Sequence, residues 1–475
     1  MVKKVHFLGI GGSGTSAAAA LAQAQGFKVN GCDLEPSNEF TTKFQPNQLI
    51  KGHSPDHLGG HPKDVLARHP QVSIQIHPKG VHANIDILAV TPAIFSLDPN
   101  NPELVQAKKL GIPILTWQQF LGEYLTKNKF VIAVCGTHGK TTTTAIIAQM
   151  LEDAGLDPTV ELGAINPRWG TNYRTQRQKG DDRQYFVIEA DEFNDNFLHL
   201  KPDIVVVTNI EMDHPEYFKD FKAVKDSFKK FLLQTKSTIV ANLLDPGISE
   251  VLKSIMKTPK GQKYHDRNNF VQYLDYSKNE LNFPLQIPGE FNKLNTQAAL
   301  RVGLLLKINP TIIKKSLSNY TGVGRRFEYI GEYKKAKVYS DFGHHPTEIK
   351  VTMQAARQKF PQNRIILIYE PHMFSRTKVL FDDFVKVFKE LTARPAKLQR
   401  SGVDKIIITD IYPSREVDTG LVNSQQLVEA VGYDTLVYHS KNQLLPMLKK
   451  HIQNGDIVFF MGAGDIDKYA RKLLF

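Results

Sequence analysis

A chain of 475 residues exceeds one ordinary hydrophobic core and is expected to split into about three domains of roughly 100 to 200 residues. With 41% hydrophobic and 23% charged residues and no low-complexity tract or short-period repeat, it is not a disordered or fibrous chain. The formal charge of +12 is spread along the whole sequence rather than gathered in a stripe interleaved with aromatics, so a solvated basic surface and anionic small substrates are expected, and no nucleic acid.

Two cysteines occur, Cys32 and Cys135, each at the end of a predicted buried strand beside a glycine-rich turn. That usage fits a reducing cytoplasm and not a disulfide scaffold. Lys3 and Lys4 before an alanine-rich stretch imitate a signal peptide, but Gly9, Gly11, Gly12 and Gly14 break the apolar region and read as a strand, a turn and a helix. No run of about 18 apolar residues is present, so no membrane span is expected.

Short β-branched apolar runs alternate with helical patterns from end to end, which predicts an α/β fold of parallel sheets with crossover helices. In a first region, residues 1–117, the strands are VHFLGI, FKVNGCD, IDILAV and IPILTW, a Rossmann-like set followed by a helical connector, QQFLGEYLTK. A central P-loop ATPase-like region, residues 118–322, carries FVIAVCG, YFVIEA, IVVVTNI and STIVAN, then a stretch of mixed polarity between about 260 and 288. The last region, residues 323–475, adds KVYSDF, RIILIYEP, KIIITDIY, TLVYHS and DIVFFMGAG, a second doubly wound, Rossmann-like sheet. Surface insertions are expected around 59–80 and 393–402.

The first strand runs into GIGGSG, Gly9 to Gly14, and Asp33 follows about 20 residues later. Glycines there let backbone amides approach a diphosphate at a helix N-terminus, and the carboxylate can accept from a ribose or base. A dehydrogenase would show the same pattern, and so would a tight glycine turn beneath a helix. FVIAVCGTHGKTTTT is far more specific. In it the stretch Gly136, Thr137, His138, Gly139, Lys140, Thr141 and Thr142 is expected to cradle phosphates with main-chain N–H groups, Lys140 to neutralise them and Thr141 to bind Mg²⁺. Val134 stands where a strict GxxxxGK[ST] loop has its first glycine, which disfavours a standard P-loop motor or GTPase.

The strand YFVIEADE brings Glu189, Asp191 and Glu192 to a sheet edge, and IVVVTNIEMDH brings another acid and His214 to an equivalent edge. A Mg²⁺ site is plausible there, with His214 reading equally as a ligand or as a capping group. Asn292 and Asn295, at i, i+3 in PGEFNKLN, can read an adenine edge or cap a helix, and capping is the better reading in isolation. Arg325 and Arg326 at the second domain boundary can clamp phosphate or form an interdomain ion pair. In SDFGHHPTEI, the adjacent His344 and His345 lack the cysteine or HExxH spacing of a zinc site and read as a loop shaping a substrate pocket. EPHMFSRTK holds His372, Arg376 and Lys378, suited to a carboxylate or phosphate.

These motifs, in this order and with GVGRRFEYIGE and MGAGDI, resemble the Mur ligase family of peptidoglycan synthesis over nearly the whole chain. The resemblance implies an ATP-dependent ligase that joins an amino acid to the carboxylate of UDP-N-acetylmuramate through an acyl phosphate. It implies that Gly11, Gly12, Ser13, Gly14 and Asp33 hold the nucleotide sugar. Lys140, Glu189 and His214 would be catalytic, with Thr141, Glu189 and His214 around Mg²⁺. Asn292 and Asn295 would meet adenine, Arg326 and Asp341 would hold the nucleotide from the other side, and His344, His345 and Arg376 would complete an acceptor pocket. L-alanine is the implied acceptor, with a recycled tripeptide as the alternative. A nicotinamide-dependent oxidoreductase would have no use for GTHGKT, and a non-catalytic nucleotide binder would not need Lys140, Thr141, Glu189 and His214 together. Three positions depart from the family pattern: Phe291 replaces a histidine, Met373 an arginine and Ser340 an aspartate.

Overall fold

The computed structural model describes residues 2–59, 85–176, 183–258, 271–278, 280–392 and 402–475. Apart from Gly59 and Gly402, the two expected insertions lie outside the described residues, as does the mixed-polarity stretch up to residue 270. Three sheets organise the described residues. The first joins β1 (Lys4–Leu8), β2 (Lys28–Asp33), β3 (Leu49–Lys51), β4 (Ile87–Val90) and β5 (Ile114–Thr116) in the order β3-β2-β1-β4-β5, all parallel. This is a Rossmann-like order.

The second sheet contains β6 (Phe130–Cys135), β7 (Thr159–Asn166), β8 (Thr171–Arg174), β9 (Tyr185–Glu189), β10 (Ile204–Val207), β11 (Thr238–Ala241) and β12 (Gln272–Asp275), in the order β12-β11-β10-β6-β9-β7-β8. The third contains β13 (Glu328–Tyr333), β14 (Ala336–Asp341), β15 (Ile365–Tyr369), β16 (Lys405–Ile408), β17 (Leu436–Tyr438) and β18 (Ile457–Met461), ordered β13-β14-β18-β15-β16-β17. The expected α/β class with three sheet-forming regions is what the chain adopts.

The expectation of purely parallel sheets needs correction. β8 runs antiparallel to β7, and β13 antiparallel to β14. Both are outermost strands with polar, alternating sequences, TNYR and EYIGEY, whereas the inner strands IVVV, IILIY and IVFFM are buried throughout. A strand covered on both faces needs an unbroken apolar run, while an edge strand does not. The short β3 and β12, and the strand β7, were also not anticipated. The connector after β5 is helical, as expected: one α-helical turn at Trp117–Phe120, capped by Thr116 and Gln119, runs directly into a π-helical turn at Leu121–Leu125.

By packing, the chain divides into two compact units, one formed by Met1–Val131, Asp157–Ile188 and Asn196–Lys201, the other by the remaining segments. The core of the second unit includes the helix Lys140–Asp153, which places Ile146, Ile147, Met150 and Leu151 fully out of water. Each such side chain contributes about 1.5–3 kcal/mol relative to exposure, which holds the start of that helix firmly at the end of β6. Gly303 of the helix Glu290–Leu305 allows Met150 to pack closely, since a Cβ there would stand 2.7 Å from the Met150 sulfur.

Candidate functional site

The loop between β6 and the helix Lys140–Asp153 has the geometry its glycines require. Gly136 lies at φ +134° and Gly139 at φ +83°, conformations that side chains disfavour. A Cβ at Gly136 would also meet Thr208 Oγ1 at 2.0 Å, and one at Gly139 would meet Asn295 Oδ1 at 2.6 Å. Asn209 Oδ1 accepts from the His138 amide at 2.8 Å, and Thr208 Oγ1 donates to the His138 carbonyl at 2.6 Å. The loop is therefore clamped from the end of β10 before any ligand is considered.

Lys140 Nζ donates to the Gly136 carbonyl (2.7 Å) and to both Glu192 oxygens (2.9 and 3.0 Å). Burial works against its charge, but Glu192, with Asp191 and Glu189, outweighs that and raises the Lys140 pKa. The ammonium is thus charged at any working pH. Sequence reading put Glu192 at this sheet edge but gave it no role. Thr141 Oγ1 donates to Glu189 Oε1 at 2.9 Å and also receives Arg326 Nη2 at 3.4 Å. Thr141 and Glu189 supply the hard oxygen donors that Mg²⁺ prefers.

His214 stands in the loop that follows β10, seven residues past Val207, at φ +54°. Its ligand-spaced neighbours are Asp191 and Glu192. Nδ1 also lies 3.1 Å from Glu216 Oε1 and 3.4 Å from Arg376 Nη2. Burial disfavours the charged ring, yet Asp213 and Glu216 outweigh it and raise the His214 pKa. Asp213 is itself held well below the usual carboxylate range: burial opposes its ionisation, and His214 and Arg376 overcome that. Arg376, 2% exposed, donates Nε to Asp213 Oδ1 at 3.1 Å. Nothing in the sequence announced this pair, whose members are 163 positions apart.

His138, Gly139, Thr142, Asn292, Asn295, Arg326 and Asp341 line a single cavity of about 270 Å³, together with Phe291, Asn209 and Tyr276. Its aromatic and apolar walls with a few convergent polar groups suit a heterocycle and sugar. Asn292 donates to the Pro288 carbonyl just before the helix Glu290–Leu305 (2.7 Å) and Asn295 to Asn292 Oδ1 (3.3 Å), so both amides are already engaged locally. Asp341 accepts the Phe327 and Gly343 amides, each at 2.8 Å, and its pKa is raised by burial. Arg326 Nη1 lies 3.7 Å from Glu348 Oε1, so this arginine links the third sheet's first helix to the phosphate loop.

The two adjacent histidines part company. His345 caps the helix Pro346–Lys359, Nδ1 accepting the Thr347 amide at 3.2 Å, and its ring lies 4.8 Å from that of His138. His344 is half-buried, and desolvation followed by Arg376 lowers its pKa to about 4. Its ring packs 5.6 Å from His372, whose Nδ1 lies 3.2 Å from Arg376 Nη1, so His344 and Arg376 converge through His372. Of the departures from the family pattern, Phe291 walls the cavity, Met373 begins the helix Phe374–Val379 at φ +71°, and Ser340 donates to Asp467 Oδ1 in the core.

In the first unit, Asp33 Oδ2 accepts the Gly11 amide at 3.0 Å, and Asn38 donates to the Gly11 carbonyl at 2.8 Å. Gly12 precedes the helix Ser13–Ala24, putting Ser13 and Gly14 in its first turn. Gly14 has a packing reason beside any ligand: a Cβ would stand 2.3 Å from Trp117 Cζ2.

A phosphate loop on an inner parallel strand, with acids at adjacent strand ends and an arginine reaching in from the next sheet, defines a nucleotide-dependent α/β enzyme. The chain belongs to the Mur ligase family. Residues 4–129 match the Mur ligase family catalytic domain, 134–303 the Mur ligase middle domain, and 325–464 the glutamate ligase domain of Mur ligases. Membership implies the use of ATP. The UDP-N-acetylmuramate--L-alanine ligase of Acetivibrio thermocellus is 36% identical over 99% of this chain and 96% of its own length, and that of Aquifex aeolicus 33% over 100% and 97%. Among solved structures, the UDP-N-acetylmuramate-alanine ligase of Thermotoga maritima aligns with a TM-score of 0.72 at 24% identity, covering 99% of this chain and 98% of that one. A murein peptide ligase from Psychrobacter arcticus aligns with a TM-score of 0.64 at 20% identity, covering 99% and 98%. These two likenesses speak for the fold.

Proposed function

We propose that this protein is an ATP-dependent ligase that joins L-alanine to the carboxylate of UDP-N-acetylmuramate, a step of peptidoglycan precursor synthesis carried out in the cytoplasm. The observation that carries the reading is the clamped loop Gly136 to Thr142, with Lys140 held charged at its mouth. Full-length relatives named for this reaction, at 33–36% identity, supply the substrates. In this reading residues 1–117 bind the nucleotide sugar, 118–322 bind ATP and 323–475 serve the acceptor.

Loop amides and Lys140 bind the β- and γ-phosphates, while the cavity beside Asn292, Asn295 and Phe291 takes adenine. The sugar carboxylate attacks the γ-phosphorus, ADP leaves, and the amine of L-alanine then displaces phosphate from the acyl phosphate. Thr141 and Glu189 would hold Mg²⁺, with His214, Asp191 and Glu192 next to it; the ion would spread the negative charge of the phosphates. Lys140 stabilises charge on the transferred group, and positioning does most of the remaining work. Arg376, with His344, is assigned to the carboxylate of the incoming amino acid. Its buried partner Asp213 orients that guanidinium.

The test is ADP release with ATP, Mg²⁺ and UDP-N-acetylmuramate, adding L-alanine, L-serine, glycine or L-Ala-γ-D-Glu-diaminopimelate singly. L-alanine is expected to give the highest kcat/KM. Release indifferent to every acceptor would sink the ligase reading, and preference for the tripeptide would reassign the chain to murein-peptide recycling.

A further inference from the structure

The first unit contains a buried group of side chains that the ligase reaction does not use. His6 in β1 and Asn30 in β2 are register partners, and Cys32 is two residues further along β2. Strand alternation therefore turns all three side chains to one face. That face is covered by the helix Pro102–Leu110, which brings Glu103, and by the single turn Pro55–Leu58, which brings His57. One ligand atom from each of His6, Cys32, His57 and Glu103 lies within 4.8 Å of the others.

Individual spacings are tighter. His6 Nε2 lies 3.4 Å from Cys32 Sγ and 3.0 Å from Glu103 Oε2. Cys32 Sγ and His57 Nδ1 each lie 3.0 Å from Glu103 Oε1. With Zn–N and Zn–O near 2.0 Å and Zn–S near 2.3 Å, the corners of a tetrahedral zinc site stand roughly 3.3 to 3.5 Å apart. The four atoms need only small outward shifts to surround an ion.

Two further observations point to a ligand. His6 Nδ1 contacts Asn30 Oδ1 at 2.9 Å, so Nε2 is the ring nitrogen turned towards the group, and Asn30 stands where an outer-shell partner stands for a metal-bound histidine. Glu103, fully buried, has an Oε2 with no hydrogen bond of acceptable geometry. A buried carboxylate oxygen left in that state is costly. Access exists on the side of His53 and His57, whose side chains are 18% and 13% exposed.

We propose that His6, Cys32, His57 and Glu103 form a binding site for a zinc-class divalent ion. Sulfur and imidazole donors select such an ion over Mg²⁺ or Ca²⁺. On binding, the Cys32 S–H bond breaks, the sulfur pair forms the metal bond and the proton leaves to solvent. One thiolate, one carboxylate and two neutral imidazoles then balance the two positive charges, which suits a buried position. No sequence spacing advertises the site, because its ligands come from positions 6, 32, 57 and 103 and meet only through the fold.

The full chain, stripped with a chelator, is titrated with Co²⁺ and then Zn²⁺ while the absorption spectrum is recorded. One equivalent of Co²⁺ should give a near-ultraviolet thiolate-to-cobalt band with tetrahedral visible bands, and Zn²⁺ should abolish both. Cys32→Ser should lose the near-ultraviolet band, and Asn30→Ala, which touches no metal, should weaken affinity on the order of 10- to 100-fold. Circular dichroism accompanies each variant. Wild-type protein that takes up Co²⁺ without a thiolate band, or takes up none, overturns the proposal, as does a band that survives Cys32→Ser. The wild-type arm decides the matter even if a variant fails to fold.

Discussion

Lys140 draws together the chemistry of the phosphate loop and its cost. Its ammonium is satisfied by Glu192, which is 2% exposed, so removing the lysine leaves a buried carboxylate without its cation. Lys140→Ala should lower kcat on the order of 10²- to 10³-fold, the cost of losing one preorganised charge stabiliser. Its urea midpoint should also drop. The double variant Lys140→Ala/Glu192→Gln should recover the midpoint but not the turnover; recovery of both would remove Lys140 from the reaction. His138 gives a pH signature. Burial disfavours its charged form, but Glu211 and Glu348 prevail and raise its pKa from 6.5 to about 10. A raised folded-state pKa means that the pairing stabilises the protein fully below pH 6.5 and is lost as pH climbs towards 10. Urea midpoints measured across that interval should fall more steeply for the wild type than for His138→Gln. Parallel slopes would show that His138 is not held as a cation.

Among the elements, the strand–loop–helix unit from β6 to the helix Lys140–Asp153 is the most fully determined by its own sequence. A β-branched apolar run, two glycines at positive φ and a lysine opening the helix leave little freedom, and this unit is legible in the sequence itself. Gly136→Ala should therefore be destabilising by at least about 1–3 kcal/mol, the usual cost of a strained backbone conformation, with the clash against Thr208 in addition. A thermal midpoint equal to that of the wild type would mean the loop relaxes freely. β8 and β13 were illegible for the opposite reason: their largely polar residues carry no core signal, and their antiparallel direction comes from the neighbour they meet. His345, expected beside His344 as a pocket residue, has a second task that went unread: it caps a helix through Nδ1, and the signal for that was Glu348 three positions on, the mark of a capping box.

Taken as a whole molecule, the chain had a readable class and family because ordered motifs survive along all three sheet-forming regions. The couplings between them were hidden. Arg376 with Asp213, Arg326 with Thr141 and His138 with Glu348 each join segments more than 150 residues apart, and local sequence pattern carries no signal for such distances. The acceptor was the least legible part, since the groups proposed to receive it, His344, His372 and Arg376, converge through the fold rather than through any local pattern. The proposed reaction leaves an isotopic trace that no other nucleotide-dependent chemistry at this site would leave. The protein is incubated with ATP, Mg²⁺, L-alanine and UDP-N-acetylmuramate carrying ¹⁸O in its carboxylate, and product and phosphate are weighed by mass spectrometry. Transfer through an acyl phosphate should give the L-alanyl amide of the nucleotide sugar and one ¹⁸O in each inorganic phosphate released. Unlabelled phosphate, or ADP without the amide, would show that the chain does not join these two substrates in this way.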